Sequence, residues 1–144
     1  MQHDAQLSEL RNLFQASPHL KHYPFEQSAI VLINRNGIFK AQKCKRCVPH
    51  MAELVDRLKA EFQGHQGHDN DRRQYEVLQV FGSEPYEEQV RIFRRAAVVI
   101  GPHGAALTSM LHVTRNTAIV EFIHKNNSNS IKYLYQYHLF NKFL

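Results

Sequence analysis

The 144-residue sequence has no apolar run approaching ~20 residues, so no segment of it reads as a membrane-spanning helix. Its opening, MQHDAQLSEL, is polar and carries Asp4 and Glu9, the pattern of neither a secretory signal nor a transit peptide. It has no long block of one charge. Basic residues outnumber acidic ones by 18 to 13, for a formal charge of +5 and a pI near 9.4. Apart from one cluster, Lys40 to Arg46, they are scattered. The surplus favours anionic ligands in general without choosing between nucleic acid, nucleotide and plain solubility. With no sequence-reading helix, RNP-like motif or zinc finger, nucleic acid is not an expected partner. There is no Gly-x-Ser-x-Gly elbow, which removes the nucleophile that a hydrolase would need.

Cysteine is scarce too. The two present, Cys44 and Cys47, form a Cys-x-x-Cys pair. That spacing allows redox chemistry or half of a zinc site. His50 follows closely, but a second ligand pair is missing, so no metal is expected. The other readings are two loop thiols, or a disulfide if the chain folds in an oxidising lumen.

What the sequence does have centres on AAVVIGPHGAALTSML, residues 96–111. Ala96 to Ile100 is a short apolar run with a β-branched centre, as a buried parallel strand requires. Gly101 and Pro102 are expected to stop it. Gly104 lets the backbone pass close to a neighbour or ligand. From Ala105 the composition turns to helix formers. Strand, glycine turn and helix make half of a βαβ unit, whose turn aims backbone N–H groups and a positive helix end beyond the sheet. That is a seat for a phosphate, and His103 stands within it.

The remaining segments alternate. Leu7, Leu10, Leu13 and Phe14 predict a short helix over residues 4–15, ended by Ser17-Pro18, with an irregular connector to Gln27. Ser28–Asn34 reads as a strand covered on both faces, with Arg35 just past its end, where a guanidinium can meet a phosphate. Asn36 to Pro49 reads as a basic loop. Met51, Leu54, Val55, Leu58 and Phe62 give the clearest amphipathic helix, closed by Gly64. Residues 64–73 read as a polar loop. Tyr75–Phe81 reads as a strand. Pro85 opens a helix whose inward face is Val90, Phe93 and Ala97. Ala118–Ile123 is a further apolar strand. Glu121 interrupts it and needs a partner there. The aromatic tail beyond residue 130 reads as helix. This order predicts an α/β fold: a three-layer αβα, doubly wound, Rossmann-like parallel sheet. The division expected is an N-terminal helix and connector, 1–27, followed by one domain, 28–144. Ligands of such sheets bind beyond the carboxyl ends of the strands, the edge shared by Arg35, the 101–105 turn and the segment after Glu121.

Gly-Pro-His-Gly-Ala-x-Leu-Thr after an apolar strand, with Glu-x-Gln-Val (Glu87–Val90) before it, resembles glycosyltransferase family 61. The similarity covers roughly residues 28 to 137. Arg35 falls on the family's Arg after the first strand, Arg46 and Glu53 on a later Arg and Glu, and Glu121 on the acid that follows the next strand. The family usually has Asn where His50 stands; Ser109 and His112-Val113-Thr114 also depart from its pattern. The resemblance implies the carboxyl-terminal, donor-binding lobe of an inverting GT-B enzyme of the endoplasmic reticulum or Golgi lumen. Its partners would be a UDP-sugar, bound without a metal, and a glycan or glycoprotein acceptor. Donor-binding residues would be Arg35, Gly101, His103, Gly104, Ala105, Leu107, Thr108 and Glu121. His103 would offset charge on the departing UDP. The amino-terminal lobe of such an enzyme is not in the sequence, so a partial chain is expected. The alternative is a non-catalytic nucleotide-sugar or partner-binding module.

Overall fold

The computed structural model describes residues 9, 12–13, 15–35, 47–48, 50–63 and 74–122. Within them lies a four-stranded, all-parallel sheet, flanked by helices on both faces. The strands are β1 (Ala29–Ile33), β2 (Glu76–Val80), β3 (Ala96–Pro102) and β4 (Ala118–Phe122), in the order β2-β1-β3-β4. Two α-helices, α1 (Met51–Phe62) and α2 (Tyr86–Arg94), and a 3-10 helix, Ala105–His112, connect them. This is the expected three-layer, doubly wound α/β arrangement.

β1 is the centre because its sequence permits nothing else. All five residues are apolar and none is more than 3% exposed. Its alternate side chains feed two cores. Ala29, Val31 and Ile33 join Phe93, Val99, Leu107, Met110 and Val113 on one face. Ile30 and Leu32 join Met51, Val55, Val77 and Ile100 on the other. The first face is covered by α2 and the 3-10 helix, the second by α1. Fully burying one such side chain contributes about 1.5–3 kcal/mol. α1 follows its apolar spacing, with Glu53 in the first turn and Lys59 in the last, complementing the helix dipole.

Several boundaries differ from expectation. β3 does not stop at Ile100. Gly101 and Pro102 pair with Glu121 and Phe122, so the strand runs on to Pro102. Proline is tolerated there because it closes the strand, and the ladder resumes where His103 N–H donates to Phe122 O at 3.0 Å. Ala97 belongs to β3, not to the inner face of α2. Arg95 caps α2, and its carbonyl already accepts from the N–H groups of Ser28 and Ala29 at the mouth of β1. The helix after the glycine turn is 3-10 rather than α. Leu107, Met110 and Val113 recur every three residues, and all are buried; a three-residue turn sets them in one line against the sheet. β4 is one of the two edges among the described residues, with Val120 44% exposed.

The connector is tied down. The described residues from 9 to 16 are helical, and a single 3-10 turn, Pro18–Leu20, follows. Leu20 is buried, and Gln15 and Gln27 reach Val113 O and Thr114 Oγ1. Cys47 is disulfide-bonded; the sequence holds one other cysteine, Cys44, outside the described residues. Gly64 and the aromatic tail also lie outside them. Among the described residues no helix is long and apolar enough to cross a membrane.

Candidate functional site

The order β2-β1-β3-β4 reverses direction between β1 and β3, since the chain leaves β1 to one side and returns on the other. At such a switch point the connections part and leave a crevice beyond the strand ends. The residues there are Asn34 and Arg35 after β1, and His103 and Gly104 after β3.

Gly101 makes this edge compact. A Cβ there would lie 2.8 Å from Cβ of Ile33. The tips of β1 and β3 therefore approach as closely as only glycine allows. Gly104 has φ 156°, a backbone that L side chains rarely adopt, and it turns the chain from β3 into the 3-10 helix. Its carbonyl accepts from Leu107 N–H at 3.0 Å.

His103 and Glu121 meet at this turn. His103 Nδ1 lies 2.6 Å from Glu121 Oε1, and both side chains are about 15% exposed. The pairing follows from the register: Gly101 is opposite Glu121, and the next ladder bond joins His103 to Phe122. The carboxylate that looked costly inside an apolar strand thus has a partner 18 residues away in the chain. With Nδ1 committed to Glu121, any ligand contact by the ring runs through Nε2.

The other expected site residues divide. Arg35 is half-buried at the β1 tip, on the edge that His103 occupies. Thr108 is exposed on the 3-10 helix, and Ala105 opens that helix. Leu107 is not brought to the crevice: at 1% exposure its side chain packs in the core. Gly101 is buried within the sheet and acts there by its size. Glu53 lies in the first turn of α1 and pairs with Arg57 at 2.8 Å, while Arg46 lies outside the described residues.

Three polar residues at this edge carry no site role in the expectations drawn from the sequence. Asn34, 9% exposed, donates from Nδ2 to Gln79 Oε1 at 2.8 Å and so links the tips of β1 and β2. Glu84 accepts the N–H groups of Phe81 and Gly82 at 2.7 and 2.8 Å and fixes the loop after β2. Gln89, the Gln of Glu-x-Gln-Val, donates to Glu84 O at 2.8 Å and receives Ser109 Oγ at 3.4 Å. It bridges the β2 loop to the 3-10 helix. The available signal was position: each follows a strand end or faces one.

Among the described residues no group of three or more His, Cys, Asp or Glu side chains could hold a metal ion. An Asp-x-Asp triplet, Asp69-Asn70-Asp71, occurs in the sequence and lies outside them. In comparison with known proteins, the family profile described as Glycosyltransferase 61 matches residues 2–120. No curated protein matches the chain.

Proposed function

The chain belongs to glycosyltransferase family 61, and on that premise we propose that it binds a UDP-sugar at the β1–β3 edge as the donor lobe of an inverting, GT-B-type transferase. The acceptor is a glycan or glycoprotein. The observation that carries this reading is the His103–Glu121 pair, held at the switch point beside a glycine turn and a half-buried arginine.

In this reading the acceptor hydroxyl attacks the anomeric carbon from the face opposite the diphosphate. The bond from that carbon to the diphosphate oxygen breaks, its electron pair leaves with UDP, and the configuration inverts. Charge grows on the leaving oxygens. Arg35 offers a cation, and the N–H groups opening the 3-10 helix offer dipoles. Glu121 holds the imidazole at Nδ1, and Nε2 of His103 is the ring atom that meets the diphosphate. These groups act on the leaving side only; the proton of the acceptor hydroxyl passes to a general base on the acceptor side, supplied from outside these residues. Gly104 and Thr108 line the same turn. The donor binds without a metal, the cationic groups taking that part. A disulfide at Cys47 supports work in an oxidising lumen, that of the endoplasmic reticulum or Golgi.

The test is titration of the chain with UDP and UDP-sugars, followed by amide shifts and calorimetry. Saturable binding is expected at residues 103–108, the same in EDTA as in Mn²⁺, and lost in His103→Ala. Equal binding by wild type and His103→Ala would overturn the reading. Sugar transfer by the same chain would separate a working transferase from a donor-binding module.

A further inference from the structure

At the opposite, amino-terminal edge of the sheet a second cleft opens between the connector and the end of α2. It has a volume of about 420 Å³ and is lined by His22, Tyr23, Pro24, Glu26, Arg91 and Arg95. That volume lies in the roughly 300–1,000 Å³ range of small-ligand sites. We infer that this cleft is a binding site for a neutral, hydroxyl-rich saccharide, separate from the donor edge.

The walls are held in place from behind. Arg94 is 3% exposed, an unusual position for a guanidinium in the last turn of a helix. It donates to the carbonyls of Leu20 and Tyr23 from Nη1 and to that of Gln15 from Nη2. Its guanidinium carbon lies 4.6 Å from the centre of the Phe25 ring. The strand of connector bearing Tyr23 and Pro24 is thereby clamped to α2, so the cleft is preformed.

The charges decide what fits. Arg91 donates to both oxygens of Glu88, at 2.8 and 2.5 Å. Arg95 donates to Glu26 at 3.0 Å and also to Glu76. Three carboxylates thus answer two guanidiniums, and an added phosphate or sulfate would have to displace one of them. Glu26 is held below the usual carboxylate range by hydrogen bonds from Ser28 and Arg95, and Glu88 by that from Arg91. Glu26, the one of the two that lines the cleft, is therefore an ionised acceptor at neutral pH.

Hydroxyl groups suit such a lining because each both donates and accepts. They can use the spare lone pairs of Glu26, the carboxylate that lines the cleft, and the spare N–H groups of Arg91 and Arg95 without breaking an ion pair. The C–H face of a sugar ring can meanwhile lie on Tyr23 and Pro24, the apolar members of the wall.

The experiment is titration of the whole chain with xylotriose and cellotriose, with inorganic sulfate as the comparison, followed by amide shifts. Saturable shifts are expected at residues 22–26 and 88–95 with a trisaccharide and not with sulfate. Tyr23→Ala and Arg91→Ala should each weaken binding about tenfold, near 1.4 kcal/mol, and His103→Ala should leave it unchanged. If Tyr23→Ala fails to fold, Arg91→Ala, whose side chain is 48% exposed, decides. No saturable response at the cleft, a sulfate response there, or trisaccharide shifts confined to the His103 edge would overturn the inference. UDP added to the same samples is read at residues 103–108, so the donor site stands or falls on separate signals.

Discussion

At the scale of single residues, the site rests on one missing methyl group and one hydrogen-bonded pair, His103 with Glu121. A Cβ at position 101 would meet Cβ of Ile33 at 2.8 Å, and Ile33 is 1% exposed, so it cannot move aside. Gly101→Ala is therefore expected to cost about 1–3 kcal/mol, the range for overpacking a core, read as a lowered urea midpoint. The strand tips would also spread, so UDP affinity should fall in the same variant. Glu121→Gln tests the other feature. The amide keeps the shape and one acceptor but loses the charge that orients the imidazole. A hydrogen bond to a charged group is worth about 1.5–3 kcal/mol, so a lowered unfolding midpoint is expected together with roughly a 10–100-fold loss of UDP affinity. A large midpoint drop with unchanged affinity would mean that Glu121 serves the strand alone.

At the scale of elements, α1 begins with a mismatch. His50, its N-cap, sits at φ 58° and makes no side-chain cap bond. Asn, which the family usually carries there, tolerates the left-handed region and caps helices well. His50→Asn should raise stability by about 1 kcal/mol, measured by chemical denaturation. The 3-10 helix yields a pH prediction. His112 is 5% exposed, and its ring meets Tyr86 edge-on at 5.6 Å. Burial, and then the charge of Arg94, hold its imidazole below the ordinary 6.5. The unfolded chain therefore takes up this proton first as pH falls. Stability from this group is complete above pH 6.5 and declines below it, by at most about 1.4 kcal/mol per pH unit, until the folded ring also protonates. Urea midpoints between about pH 5 and 8 should show this decline, and His112→Leu should flatten it. Elements also show where the sequence is legible. β1 and α1 were readable because an all-apolar pentad and a three-four spacing each have one structural answer. The end of β3 was not, because Gly-Pro reads locally as a stop and only the neighbouring β4 supplies a partner for it. Ala97 suits helix or strand equally, and the carbonyl of Arg95, bonded into the mouth of β1, decides. The burial of Arg94 was hidden for a similar reason: its ligands are backbone carbonyls of the connector, about 70 residues away in sequence.

At the scale of the whole molecule, stability and binding share one structure. β1 and β3 form the buried middle of the sheet, while β2 and β4 are its edges among the described residues. Amides of β1 and β3 should accordingly be the slowest to exchange, at or near the global unfolding free energy, and those of β4 faster. The donor edge is the tip of that same central pair. A ligand seated there binds the folded chain and has no counterpart in the unfolded one, so it adds to the free energy of the entire cooperative unit. With UDP at a hundredfold excess over its Kd, the gain is about 2.7 kcal/mol. It should appear as a higher midpoint and as slower exchange throughout β1 and β3, not only at residues 103–108. His103→Ala should abolish the gain; because it also removes the partner of the Glu121 carboxylate, its unliganded midpoint is expected to fall, and the gain is read against the variant's own midpoint. If UDP protected only the turn and left β1 exchange untouched, the ligand would be binding a locally opening segment, and the crevice between β1 and β3 would not be its seat.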